Sequence, residues 1–286
     1  MFGLLLTAAA TFSEEAGTSI GKQQTMLGRQ SPLSITVFSA FFSILFLLIL
    51  AFLVPSGFFA PGFPQGFVFS AASLPTLLTR VVLELLQAWG TVYAIVLADR
   101  STFGFLRVIT LPLLLLVDVM LYGPIGMGRV AGIALIVASL ILLFINHGLS
   151  RRGAWLTVFT AINAVVTISL YKYDISHFNS VEAEQLIILS ADFLFFLFLA
   201  WRYARENTLK LLLRPVFFTE SLLTGVGVTI ISFAFLFAPA SVIATAKRAF
   251  SLLFAVLFGH AYFREKQLLL KISAFALITV GLVLMV

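Results

Sequence analysis

The sequence predicts an all-α integral membrane fold of ten transmembrane helices, built as two inverted five-helix repeats. Three observations predict it. Apolar residues fill 61% of 286 positions and charged residues only 10%, where a soluble domain carries roughly a quarter. So few charges cannot cover a surface facing water, and a mean hydropathy of +1.11 points to lipid as the solvent. Apolar runs long enough to span a bilayer recur ten times, and the second half of the chain echoes the first.

A spanning helix needs roughly 20 mostly apolar residues, against roughly 9–11 alternating ones for a barrel strand. The runs 2–21, 33–54, 74–98, 102–122, 130–146, 154–172, 181–201, 215–237, 240–263 and 268–286 meet the helical length. The first lacks a basic leader and carries Glu14–Glu15 where a signal peptide would be apolar or small, so it reads as a retained helix. The second gives way to 55–73, which has three prolines, no charge, and the character of an interfacial loop. Pro32, Gly123–Pro124, Gly153, Pro215 and Pro239 mark further breaks. Twelve Lys and Arg follow odd-numbered spans, while only Arg129 and Lys172 follow even-numbered ones. That bias places the odd loops in the cytoplasm and both termini outside.

The repeat is clearest between 107–144 and 248–286. At an offset of 141, rising to 142 after a short loop, Arg107 meets Arg248, Arg129 meets Lys271 and Phe144 meets Val286. Ser19–Lys22 matches Ser169–Lys172 at an offset of 150. Each half, 1–146 and 151–286, then holds five spans. Because five is odd, the second half enters the membrane from the opposite face, the arrangement of many secondary transporters.

The closing stretch, SLLFAVLFGHAYFREKQLLLKISAFALITVGLVLMV, resembles the last helix pair of the EamA-type members of the drug/metabolite transporter superfamily, with Glu265 in the turn and Gly281 late in the final helix. In the first half, AIVLADRST from Ala94 followed by LPLLLLVDVML is similar to the corresponding junction, with Pro112 at the family's helix-four proline. GPIGMGR replaces the family's acidic turn, and Glu14–Glu15 is unusual there. The resemblance implies ten helices, transport of a small molecule, and cytoplasmic termini; the charge bias places the termini on the other side.

An ionisable group inside the membrane costs roughly 2.5–3.5 kcal/mol on insertion scales and so needs a reason. Thr7, Thr11, Glu14 and Thr18 share one face of the first span, and Arg80, Glu84, Gln87 and Thr91 form a second stripe on the third. These stripes read as two walls of one polar cavity, with Asp192 and Glu220 as further carboxylates; Trp89 and Tyr93 could stack on a substrate ring, although packing is the preferred reading for aromatics in spans. Glu14 and Glu84 are the candidates for coupling transport to protons. Arg107 and the pair Lys247–Arg248, at repeat-related positions, either snorkel to an interface, bind an anionic group, or pair with Asp192 or Glu220.

The expected function is movement of a small organic metabolite, amino-acid-like or similar, across the cell (plasma or inner) membrane by alternating access. The partners expected are that solute and lipid; nucleic acid is not among them, because the basic residues sit singly between apolar runs. A homo-oligomer is compatible with this reading. Zero Cys and three dispersed His (His147, His177, His260) argue against a metal centre, a cofactor site or a cysteine nucleophile, so no enzyme is expected. No Gly-x-x-x-x-Gly-Lys loop is present to bind ATP. The alternatives are an intramembrane lipid-modifying enzyme and a non-transporting membrane subunit.

Overall fold

The computed structural model describes residues 1–286 except 60, 98–105, 124–125, 146–152, 264–275, 278–279, 282–283 and 285–286. Among the described residues every regular element is helical. In chain order these are α1 (Phe2–Met26), α2 (Pro32–Phe52), α3 (Leu74–Leu97), α4 (Thr110–Tyr122) and α5 (Met127–Ile145). They continue as α6 (Ala154–His177), α7 (Val181–Leu199), α8 (Thr208–Leu212), α9 (Pro215–Ala234) and α10 (Ala240–Phe263). The turn expected around Glu265 and most of the run 268–286 lie outside the described residues.

Local chemistry sets the boundaries. Pro32 and Pro215 occupy first-turn positions, where a missing N–H costs nothing. The Ser180 hydroxyl accepts from the Ala183 amide to open α7, with Glu182 and Glu184 in a first turn whose dipole favours acids. α7 runs on through a π-turn, Ala200–Ala204, and stops at Arg205 in the left-handed region.

Ten spans were expected, and four helical segments among the described residues are long and apolar enough to cross a membrane: Pro32–Phe52, Ala154–His177, Val181–Ala204 and Pro215–Ala234. α4 and α5 contribute shorter apolar stretches among the described residues, Thr110–Met120 and Met127–Ser139. α1 is long enough but carries Glu14 and Glu15, which dilute its apolar character, and several of the other runs are not described along their full length.

Most of the packing joins helices of the first 146 residues to helices of the remainder. α1 lies on α9 and α10, α2 on α9 and α7, α3 on α6 and α7, and α4 on α10 and α6. The α1–α9 contact is the most extensive, and small residues permit it. A Cβ on Gly17 would fall 2.6 Å from Thr224 Cγ2, and one on Gly227 would fall 2.7 Å from the Ala10 carbonyl. Backbones approach this closely in lipid because packing and polar contacts, not water exclusion, hold helices together there. The late Gly281 does the same against Ile136 of α5. Buried side chains such as Leu47, Leu111, Leu114, Phe233 and Ile243 fill the interior. The outer faces remain apolar: Val82, Leu86, Trp89, Tyr93 and Leu97 form an exposed stripe along α3.

The run 55–73 is a loop closed by a 3-10 turn, Ala71–Ser73, as its prolines predict. It docks on the α6–α7 junction. The Glu182 carboxylate accepts from the amides of Gln65 (2.7 Å) and Gly66 (3.3 Å), and the Gln65 side chain accepts from the Val181 amide. Ser180 and Asn179 accept from the amides of Val68 and Ser70. These bonds satisfy backbone groups that a Pro-rich loop cannot pair by itself.

Candidate functional site

Glu14, midway along α1, forms an ion pair with Lys247 in the second turn of α10, Nζ to Oε2 2.8 Å. Gly227 makes room for it, since α9 packs directly on the Glu14 backbone there. The two side chains keep 28% and 29% of their surface exposed, so the pair is reachable although it lies deep in the bundle. Arg107, one turn ahead of α4, acts electrostatically on Glu14, Glu84 and Arg248, and Arg248 on Glu14 and Glu15. Charged groups from α1, α3, α10 and the approach to α4 thus converge on one region. Both repeat-related arginines lie in it, and the pairing of Lys247 is with Glu14 rather than with Asp192 or Glu220.

Glu84 is partly exposed and sits 3.6 Å from Arg80 on the same face of α3. Arg80 itself is buried and serves structure. It donates to Glu184 of α7 at 2.8 Å, and its guanidinium lies 4.4 Å from the Tyr171 ring centroid. Asn179 bridges the other Glu184 oxygen to Ser73, and Thr76 donates to Asp174 at 2.6 Å. Arg80 therefore belongs to a tie between α3, α6 and α7. Asp192 of α7 lies in the field of Glu84 and Arg80. Gln87 accepts from Asn163 of α6 at 3.1 Å, which makes it part of the α3–α6 contact. Thr91 is half-buried on the same side of α3.

Four of the expected cavity-lining residues make other contacts. The hydroxyls of Thr11 and Thr18 donate to the carbonyls of Thr7 and Glu14 one turn back, so these protons are held by α1's own backbone. Trp89 is 43% exposed on the outer stripe, about 140° round α3 from Glu84, and pairs with Tyr93 at 5.0 Å between ring centroids. Glu220 is fully buried in the α1–α9 contact, away from the Glu14 centre, and accepts from Gln30.

Several polar residues escaped the sequence reading: Asp174, Asn179, Glu182, Glu184, Gln65 and Asn163. A signal existed for some of them, since two acids within four residues after Ser180 suggest a capped helix start. A capped start alone does not reveal that Arg80, a hundred residues earlier, completes the pair. A recess of about 230 Å³ lies beside this tie, lined by Gln65, Val68 and 175–180. Among the described residues no three His, Cys, Asp or Glu side chains gather to hold a metal ion.

No family model matches the chain, and no curated protein does. A solved crystal structure, described only as that of a protein, is similar in fold: TM-score 0.72 at 14% identity, covering 99% of this chain and 98% of that one. At that identity the likeness concerns the fold and carries no function.

Proposed function

We propose that this chain is a ten-span secondary transporter of the drug/metabolite type, an EamA-like carrier of a small organic solute in the cell membrane. The observation that carries the reading is the half-exposed Glu14–Lys247 pair joining the first half to the second, with Arg107, Arg248 and Glu84 around it. A solute bearing an amino group and an acid group could exchange with this pair, its amine facing Glu14 and its carboxylate facing Lys247. Binding would then replace one direct ion pair by two, and the halves would be linked through the solute.

The packing supports the inverted-repeat part of the proposal. Exchanging α1 with α6, α2 with α7, α3 with α9 and α4 with α10 turns each main contact into another observed one. The α1–α9 contact maps onto α6–α3, α2–α9 onto α7–α3, and α1–α10 onto α6–α4, while α2–α7 and α4–α10 map onto themselves. Each junction also carries a polar tie, though with different partners: Gln30, at the α1–α2 junction, bonds Glu220 of α9, and Asn179, at the α6–α7 junction, bonds Glu184 of α7, which pairs with Arg80 of α3.

The test is flux. Purified protein is screened by thermal shift against metabolites, because a ligand that binds only the folded state raises its apparent stability. A ligand so found is measured for counterflow in proteoliposomes. Saturable flux abolished in Glu14→Gln with membrane abundance unchanged is the expected result; binding accompanied by chemical conversion, or no flux for any ligand that binds, refutes the proposal. A reporter fused at Val286 tests the topology, with an extracellular signal expected.

A further inference from the structure

Five carboxylate side chains are buried among the described residues: Asp118, Asp174, Glu182, Glu184 and Glu220. Four of them face a cation or backbone amides. Asp118 accepts from the Ser241 amide at the start of α10, and Glu182 from two loop amides. Glu184 has Arg80, and Asp174 accepts from Thr76 and lies in the fields of both Glu184 and Arg80. Glu220 has neither. Gln30 Nε2 is its one hydrogen-bond donor, shared between the two carboxyl oxygens at 3.2 and 3.3 Å. The same nitrogen donates to the Gly21 carbonyl at 2.8 Å, and a carbonyl can only accept, so the amide's orientation is set. A carboxylate with about four acceptor sites thus receives a single N–H.

Among the described side chains around it none balances a charge; that of Lys22, next to Gly21, lies outside the described ones. Gly21 packs so closely on Glu220 Oε1 that a Cβ would not fit. On α1, Glu14 and Glu15 stand on the order of 10 Å further along the helix, and Gln24 takes a bond from exposed Arg29. α2 contributes no charged residue. Arg202 and Arg205 after α7, Lys210 on α8 and Arg214 before α9 are exposed, and Glu206 accepts from Ser34. An ionised carboxylate closed off in this way takes up a proton instead. Glu220 also lies only about 8 Å inside α9 from its start, at the end of the bundle where the basic loops gather. Parting α1 from α9 at that end would wet the group and let it ionise.

We propose that Glu220 is a proton-binding site: it holds a proton while α1 and α9 are closed together at the basic end and releases it to water when they part. Resting on the carrier reading, one consequence follows, that opening at the basic end releases one proton to the water there and closing takes one up.

The site itself is tested without any solute. Infrared pH titration of the purified protein should show the carbonyl band of a protonated carboxylic acid, absent from Glu220→Gln. Opening is read separately, which the lack of native cysteine makes simple. In Gln24→Cys, buried on α1 at the same end, maleimide labelling divided by the rate of a free thiol at the same pH, which removes the rise in thiolate, should quicken with pH by at most about tenfold per unit for one proton. Adding Glu220→Gln should leave this ratio low at every pH. Gln30→Met keeps the carboxyl but removes the donor that favours its charged form, so both titrations should move to higher pH. An infrared band unchanged in Glu220→Gln, or a labelling ratio indifferent to pH, overturns the proposal. So does an equal displacement in Lys22→Gln, which would make the group half of an ion pair. Loss of the band in Glu220→Gln from a protein that shows no counterflow supports the proton site and removes the carrier.

Discussion

Removing Lys247 from its pair with Glu14 is the most direct test of the central site. At 2.8 Å and an effective dielectric of about 20, the attraction is on the order of 6 kcal/mol before desolvation is counted. Breaking a fully buried pair costs about 3–5 kcal/mol, and exposed pairs are worth about 0–1. With 28% and 29% of the two side chains exposed, the site falls between these limits, and Lys247→Met should cost about 2 kcal/mol. Glu14→Gln should cost a similar amount, by leaving the ammonium without its partner. The double variant should cost less than the two together, by a coupling of about 1–2 kcal/mol. The assay is reversible unfolding of the four proteins in mixed micelles at fixed detergent composition. Costs that add to within about 0.5 kcal/mol, as they do for independent sites, would refute the pairing and with it the linkage of the halves through this point.

Arg80→Met should destabilise by about 3–5 kcal/mol, because it strands Glu184 without its cation in a fully buried position; Arg80→Lys should recover only part of this, since the stack on Tyr171 is lost. In the same unfolding assay Gly17→Ala should cost about 1–3 kcal/mol, as its Cβ meets Thr224 and the Glu220 carbonyl. Gly126→Ala, with nothing within 4 Å of the added carbon, should stay near the parent protein. Glu182→Gln should loosen the loop rather than the bundle, so limited proteolysis should cut sooner within 55–66 while helical circular dichroism is unchanged. Equal cleavage rates would show that its bonds to Gln65 and Gly66 do not hold the loop.

The helices were legible in the chain because their causes are local. Run length, Pro at first turns and Gly at breaks act within a few residues, and helices appear at the runs expected wherever the structure describes them. The polar faces of α1 and α3 were legible for the same reason, since a 100° step per residue is a property of one helix. What each polar group does was decided by neighbours distant in sequence. Glu14 and Lys247 are 233 residues apart, Gln30 and Glu220 190, and Arg80 and Glu184 104. At Thr11 and Thr18 the nearest acceptor was the helix's own backbone, and the Trp89 ring took the outer face. The amino-acid sequence alone determined that this chain is helical and apolar, and which of its residues could carry charge within the bundle. Only the packed structure decided which charges are paired, which is reachable, and that the described partner of Glu220 is a neutral amide, because pairing energies depend on distances between helices that no local pattern encodes.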